Sequence, residues 1–123
     1  MDKPLLVSVV DDDESVREAL PDLLKEFGFA VEAFSSAQAF LASGYISQTR
    51  CLILDVAMPG MSGPDLQKEL ALRHHAIPII FITALGDVAL RPHLMNLGAV
   101  ECLMKPFSEA ALLKALSAAL PVS

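Results

Sequence analysis

Ile53-Leu54-Asp55-Val56-Ala57-Met58-Pro59-Gly60 closes an apolar run, Cys51 to Leu54, on a single carboxylate and a Pro-Gly turn. A short continuous apolar run bounded by turn residues has the pattern of a buried strand. Asp55 then stands where that strand leaves the sheet. A carboxylate is costly to bury there unless a cation or hydrogen-bond donors meet it. Alone, it would read as a loop aspartate capping the next helix. Three other strand ends in the chain finish in the same way, and that agreement gives Asp55 its weight.

Working outward, Leu5 to Val10 reads as the first strand and runs into Asp11-Asp12-Asp13-Glu14. A helix from about Glu14 to Phe27 carries the stripe Val16, Ala19, Leu20, Leu23, Leu24, Phe27 and stops at Gly28. Pro21 lies inside it and predicts a kink rather than a break. Phe29 to Phe34 reads as the second strand, Ala37 to Ser43 as a short helix, and Gly44 to Arg50 as a polar loop. Cys51 to Asp55 is the third strand. Pro64 opens a third helix, to about Arg73, with Leu66 and Leu70 inward and His74-His75 as solvated residues at its end. Pro78 to Thr83 is the fourth strand. Pro92 interrupts the next pattern, so a helix is expected to begin near it and to stop at Gly98, leaving Leu85 to Arg91 loop-like. Val100 to Met104 is the fifth strand, ending in Lys105-Pro106, and Ser108 caps a last helix from Glu109 to Leu120. Strands alternating with helices predict an α/β fold, a parallel sheet with helices on both faces.

The bulk properties agree. A chain of 123 residues is one domain, and 54% apolar residues with a mean hydropathy of +0.51 suit a sheet buried on both sides. No apolar run approaches the roughly 20 residues of a membrane span, and no leader precedes Leu5. A net charge of −6 and a pI near 4.8 argue against direct nucleic-acid contact. Cys51 and Cys102 fall on strands expected to lie two positions apart, about 10 Å between backbones, beyond disulfide reach. Free thiols and the missing leader fit a cytoplasmic protein.

In such a sheet, ligands bind beyond the carboxyl ends of the strands, where the winding reverses. The residues expected there are Asp11, Asp12 and Asp13 after the first strand, Asp55 after the third, Thr83 after the fourth and Lys105 after the fifth. Crowded carboxylates raise one another's pKa unless a cation joins them. Oxygen ligands without sulfur or imidazole suit Mg²⁺. Carboxylates, a metal and a lysine around an accessible aspartate make a phosphoryl-transfer set, with Asp55 as nucleophile and the cations neutralising the phosphoryl oxygens.

The combination Val9-Val10-Asp11-Asp12, Leu54 to Gly63, Ile82-Thr83-Ala84 and Lys105-Pro106-Phe107 resembles the receiver domain of bacterial two-component response regulators. Gly86-Asp87-Val88 and Gly98-Ala99-Val100 make it most similar to the FixJ-type branch. The resemblance spans nearly the whole chain. It implies a flavodoxin-like, doubly wound, five-stranded sheet in the order 2-1-3-4-5 with five helices; a chemotaxis receiver is a standard example of that order. It also implies that residues 1–123 form one receiver domain with no output domain among them. Asp55 matches the phosphoacceptor, fed by a sensor histidine kinase. Asp12 matches a direct Mg²⁺ ligand, Asp11 one acting through water, and the main-chain carbonyl of Ala57 a further ligand beside Asp55. Thr83 and Lys105 match the groups that bind phosphoryl oxygens, and Lys105-Pro106 a bond that is usually cis. A phosphorylation-dependent homodimer or output partner is implied through the face of the fourth helix, fifth strand and fifth helix.

Departures from the pattern bear on switching. Asp13 adds a third acid, which a helix-capping role would explain. Ala57 and Leu85 are apolar beside the site. Cys102 stands where relatives carry an aromatic switch residue that acts with Thr83. Two other readings compete: a phosphorylation-independent interaction module, and an aspartyl-phosphate phosphohydrolase. The latter usually places a second aspartate two residues after the nucleophile, where this chain has Ala57.

Overall fold

The computed structural model describes residues 4–84 and 89–120. Five parallel strands, β1 (Leu6–Val10), β2 (Ala30–Phe34), β3 (Thr49–Asp55), β4 (Ile79–Thr83) and β5 (Glu101–Met104), form one sheet in the order β2-β1-β3-β4-β5. Among the described residues four α-helices lie between them, α1 (Glu14–Glu26), α2 (Ala37–Ala42), α3 (Gly63–Leu72) and α4 (Leu90–Asn96), and a fifth, α5 (Glu109–Ala119), follows β5. The doubly wound sheet expected from the sequence is therefore present, with strand order and helix number as anticipated.

Side chains alternate across a strand, and β3 divides its apolar residues accordingly. Leu52 and Leu54 face a core with Phe40, Leu66, Leu70, Phe81 and Leu94, which brings α2, α3 and α4 onto one side. Cys51 and Ile53 face a core with Val7, Val9, Leu20, Leu24, Ile80, Leu112 and Leu116, beneath α1 and α5. The run Cys51 to Leu54 has no polar member because both of its faces are covered. Cys51 and Cys102 are both free, on strands separated by β4.

Two boundaries differ from expectation. β3 begins at Thr49, inside the expected polar loop, and a 3₁₀ turn, Ile46–Gln48, precedes it. Thr49 can be buried because its Oγ1 lies 2.7 Å from Ser8 Oγ and donates to the Tyr45 carbonyl at 2.8 Å. As expected, helix α1 is not broken at Pro21. Helix α4 starts at Leu90, so Leu90 and Arg91 are helical rather than loop. Pro92 occupies its third position, where an N–H would have no intrahelical partner to lose. Residues 85–88 of the expected loop, including Leu85, lie outside the described residues. At the end of α3, His74 adopts φ 62°, a left-handed position usually given to glycine, and is exposed. Among the described residues, no helix is long and apolar enough to cross a membrane.

Candidate functional site

The register sets the site. Val10 pairs with Leu54, so Asp11 and Asp55 leave neighbouring strands at the same level. Asp55 pairs with Ile82 and Thr83 with Met104, which brings Thr83 and Lys105 to the same edge. The Lys105 amide donates to the Thr83 carbonyl at 2.8 Å, and the Lys105–Pro106 bond is cis.

Asp11 is fully buried and is held at almost every polar atom. Its N–H donates to the Phe34 carbonyl at 3.1 Å, its carbonyl accepts from Arg17 Nη1 at 3.0 Å, and its Oδ1 accepts from the Asp13 N–H at 2.9 Å. Oδ2 takes no aligned hydrogen bond among the described residues, although the Lys105 ammonium faces it at 2.9 Å. Asp12 is exposed, and Asp55 is 6% exposed. One ligand oxygen from each of Asp11, Asp12 and Asp55 lies within 4.8 Å of the others. Asp13 stands apart as the N-cap of α1, where the hydroxyl and amide of Ser15 hold its carboxyl below the usual range.

Burial first, and then the neighbouring Asp11 charge, raise the Asp55 carboxyl to about 7 against the opposing pull of Lys105. For Lys105, burial lowers the ammonium, but the hydrogen bond and charge of Asp11 and the charge of Asp55 outweigh it, and the net shift is upward. Three carboxylates met by one lysine, with the Asp55 pKa raised to about 7, leave the cluster short of positive charge. All three side chains offer hard oxygen. The donor set fits a small divalent cation such as Mg²⁺.

Two residues that position the site escaped sequence reasoning. Gly63, the first residue of α3, donates to the Val56 carbonyl at 2.9 Å; a Cβ there would stand 2.4 Å from the Asp55 carbonyl oxygen. This close approach folds the loop from Val56 to Ser62 back against the strand end. Ser62 and Asp65 complete a capping box, whose Ser-x-x-Asp spacing is visible in the sequence and marks the turn. Arg17 is the other, and nothing in its spacing distinguishes it from a surface residue of α1. Of the anticipated residues, Ala57 is exposed in the loop after β3. Cys102 is buried on β5 and, with Thr83, Arg91, Lys105 and Phe107, lines a cavity of about 380 Å³. Burial raises its thiol pKa; that of Cys51, deeper in the sheet, is pushed up to about 12.

Residues 7–117 match the family model described as "Response regulator receiver domain". The chain is 44% identical to the response regulator protein TodT of Pseudomonas putida over 99% of its length and 54% of that protein's. It is 45% identical to the transcriptional regulatory protein FixJ of Azorhizobium caulinodans, covering 98% of this chain and 57% of FixJ. Nodulation protein W of Bradyrhizobium diazoefficiens is 47% identical over 93% of the chain and 50% of its own length. The chain thus spans about half the length of these relatives. Among solved structures, one titled FixJ-N superposes with a TM-score of 0.84 at 39% identity, covering 97% of this chain and 94% of that one. Response regulator StyR gives 0.86 at 50% identity, covering 97% and 60%. With fold, edge residues and family model in agreement, the chain belongs to the response regulator receiver domains of two-component systems.

Proposed function

We propose that residues 1–123 form a receiver domain that accepts a phosphoryl group on Asp55 from the phosphohistidine of a sensor histidine kinase. The observation that carries this reading is the meeting of Asp55 with Asp11 and Asp12 within 4.8 Å, beside a lysine held 2.9 Å from Asp11. Asp11, Asp12, Asp55 and the main-chain carbonyl of Ala57 would hold Mg²⁺. The bound cation supplies positive charge that lowers the Asp55 pKa and offsets charge on the phosphoryl oxygens. A carboxylate oxygen of Asp55 attacks phosphorus, the P–O bond forms as the P–N bond to the donor histidine breaks, and the imidazole leaves. Lys105 turns from Asp11 to the phosphoryl oxygens, and the Thr83 hydroxyl donates to them. The domain accelerates only its own phosphorylation and dephosphorylation and turns over no separate substrate.

The signal leaves through Thr83 and Cys102. Cys102 is too small to sweep the volume an aromatic side chain would, so the response falls on the first turn of α4 and the residues before it. The α4, β5 and α5 face then meets a second copy or an output partner. The domain itself contacts neither nucleic acid nor membrane and works in the cytoplasm.

Acetyl phosphate with Mg²⁺ tests the reading by intact mass. One base-labile phosphoryl adduct on the wild type and none on Asp55→Asn is expected. Labelling of Asp55→Asn as strong as wild type overturns the assignment. A wild type that never labels favours the phosphorylation-independent module.

A further inference from the structure

We propose that Arg17 is a positioning residue for the cation site, acting through the main chain of Asp11 rather than by contact with ligand. The inference rests on the reading of Asp11 and Asp12 as Mg²⁺ ligands. It starts from the end of β1. The ladder to β2 finishes with the Asp11 N–H on the Phe34 carbonyl, so the Asp11 carbonyl is the first of the chain beyond the sheet. The residue is fully buried, and a buried carbonyl needs a donor. No main-chain amide is recorded on it among the described residues; the donor is the guanidinium of Arg17, six residues on, at 3.0 Å.

That bond does more than satisfy one oxygen. The Asp11 carbonyl shares its peptide plane with the Asp12 N–H. Fixing the oxygen therefore fixes the plane from which Asp12 departs. Asp12 is exposed, so packing does little to orient it. Asp11 is pinned at N–H, carbonyl and Oδ1, which leaves Oδ2 as the atom turned toward Lys105 and the cluster. Arg17 in turn is anchored, because its own amide donates to the Asp13 carbonyl at 3.2 Å, within the capped first turn of α1. The cap, the guanidinium and the strand end form one frame around the two acids.

The sign of the effect separates this role from simple electrostatics. Arg17 is a cation close to a site proposed to bind a cation. If charge were its only influence, removing it would tighten Mg²⁺ binding, and Arg17→Lys would leave binding unchanged. As a positioning residue it has the opposite effect. Arg17→Ala and Arg17→Met free the Asp11–Asp12 peptide and weaken Mg²⁺ on the order of 10-fold, the usual cost of losing a partner that orients ligands. Arg17→Lys, with one donor on a flexible stem, recovers part of the loss.

Mg²⁺ titration of the full chain, followed by amide NMR shifts or calorimetry, reads this directly, with thermal unfolding of the metal-free proteins alongside. The expected order of affinity is wild type, then Arg17→Lys, then Arg17→Met and Arg17→Ala. A merely structural arginine would lower the unfolding temperature yet leave Mg²⁺ affinity equal to or tighter than wild type; that result overturns the proposal. Asp12→Asn is the control for the underlying reading. If wild type and Asp12→Asn bind Mg²⁺ equally, the cation site is misassigned and the positioning role falls with it. If Asp12→Asn loses binding while the Arg17 variants keep it, only the role of Arg17 is refuted.

Discussion

The two ends of the site are held differently. At β1 and β3, Asp11 is fully buried and hydrogen-bonded at three atoms, and the loop after Asp55 is pressed onto the strand by Gly63. At β4 and β5, helix α4 has seven residues and no side-chain cap. Its first turn is tied to β5 by an exposed ion pair, Arg91 Nη2 to Glu101 Oε1 at 2.6 Å, whose acceptor also takes the Cys102 N–H at 2.9 Å. Chemistry that needs oxygens in fixed places gains from the first arrangement. A response that must move gains from the second, because segments with few buried contacts open at low free-energy cost. On the reading proposed above, the acids serve the reaction and the α4–β5 side the response.

The largest disturbance should come from the tightly packed end. Gly63→Ala drives a Cβ into the Asp55 carbonyl oxygen, and neither partner is a flexible side chain that can yield. A loss of roughly 2–3 kcal/mol in unfolding free energy is expected from overpacking, measured by urea denaturation. The equivalent change at the other end, Cys102→Ala, removes one sulfur beside an existing cavity and should cost about 1 kcal/mol. Equal losses at both positions would erase the distinction.

The next effect is a pH dependence confined to the acid end. The folded-state pKa of Asp55, about 7, lies above its ordinary value of 3.8. The folded protein therefore binds this proton more tightly than the unfolded chain. The stability it contributes is fully present below about pH 4 and is lost as pH rises through about 7. Thermal unfolding without divalent cations should show a melting temperature that falls across that window by several degrees, on the order of 1–2 kcal/mol. Asp55→Asn should flatten the fall. A wild-type curve that rises or stays level from about pH 5 to about pH 8 would contradict the burial of an acid among acids.

The smallest expected effect lies in the exposed latch. Arg91→Ala should destabilise by about 0.5 kcal/mol or less, as solvent-screened pairs do. Amide exchange in α4 should nevertheless quicken, since its first turn loses its tie to β5. A loss comparable to that of Gly63→Ala would mean that α4 is held as firmly as the acids.

Some of this architecture was legible because it is local or periodic. The apolar runs, the cap at Ser108, Gly28 at the end of α1 and the Pro-Gly turn after Asp55 each follow from a few adjacent residues. The strand ends point to Asp11, Asp12, Asp55, Thr83 and Lys105 from the sequence alone. Boundaries shifted where a long-range partner, or a position within the first helical turn, changed a residue's preference. Thr49 looks like loop until the hydroxyl of Ser8, on another strand, meets its own at 2.7 Å within the sheet. Pro92 looks like a helix start, and the helix begins two residues earlier because a proline in the first turn forfeits nothing.

By itself, then, the sequence determined the alternation of elements, the two-faced burial of β3 and the set of polar groups at the sheet's carboxyl edge. The physical reason is that periodicity and turn chemistry act over a few residues. Tertiary structure alone decided that Asp11 is buried and Asp12 exposed, that Lys105 rests on Asp11, that Gly63 touches the Asp55 backbone and that Arg17 reaches the Asp11 carbonyl. Those facts depend on strand register and on helix α1 folding back over β1. Adjacent carboxylates in a sequence look alike until the sheet gives one of them to the core and the other to water.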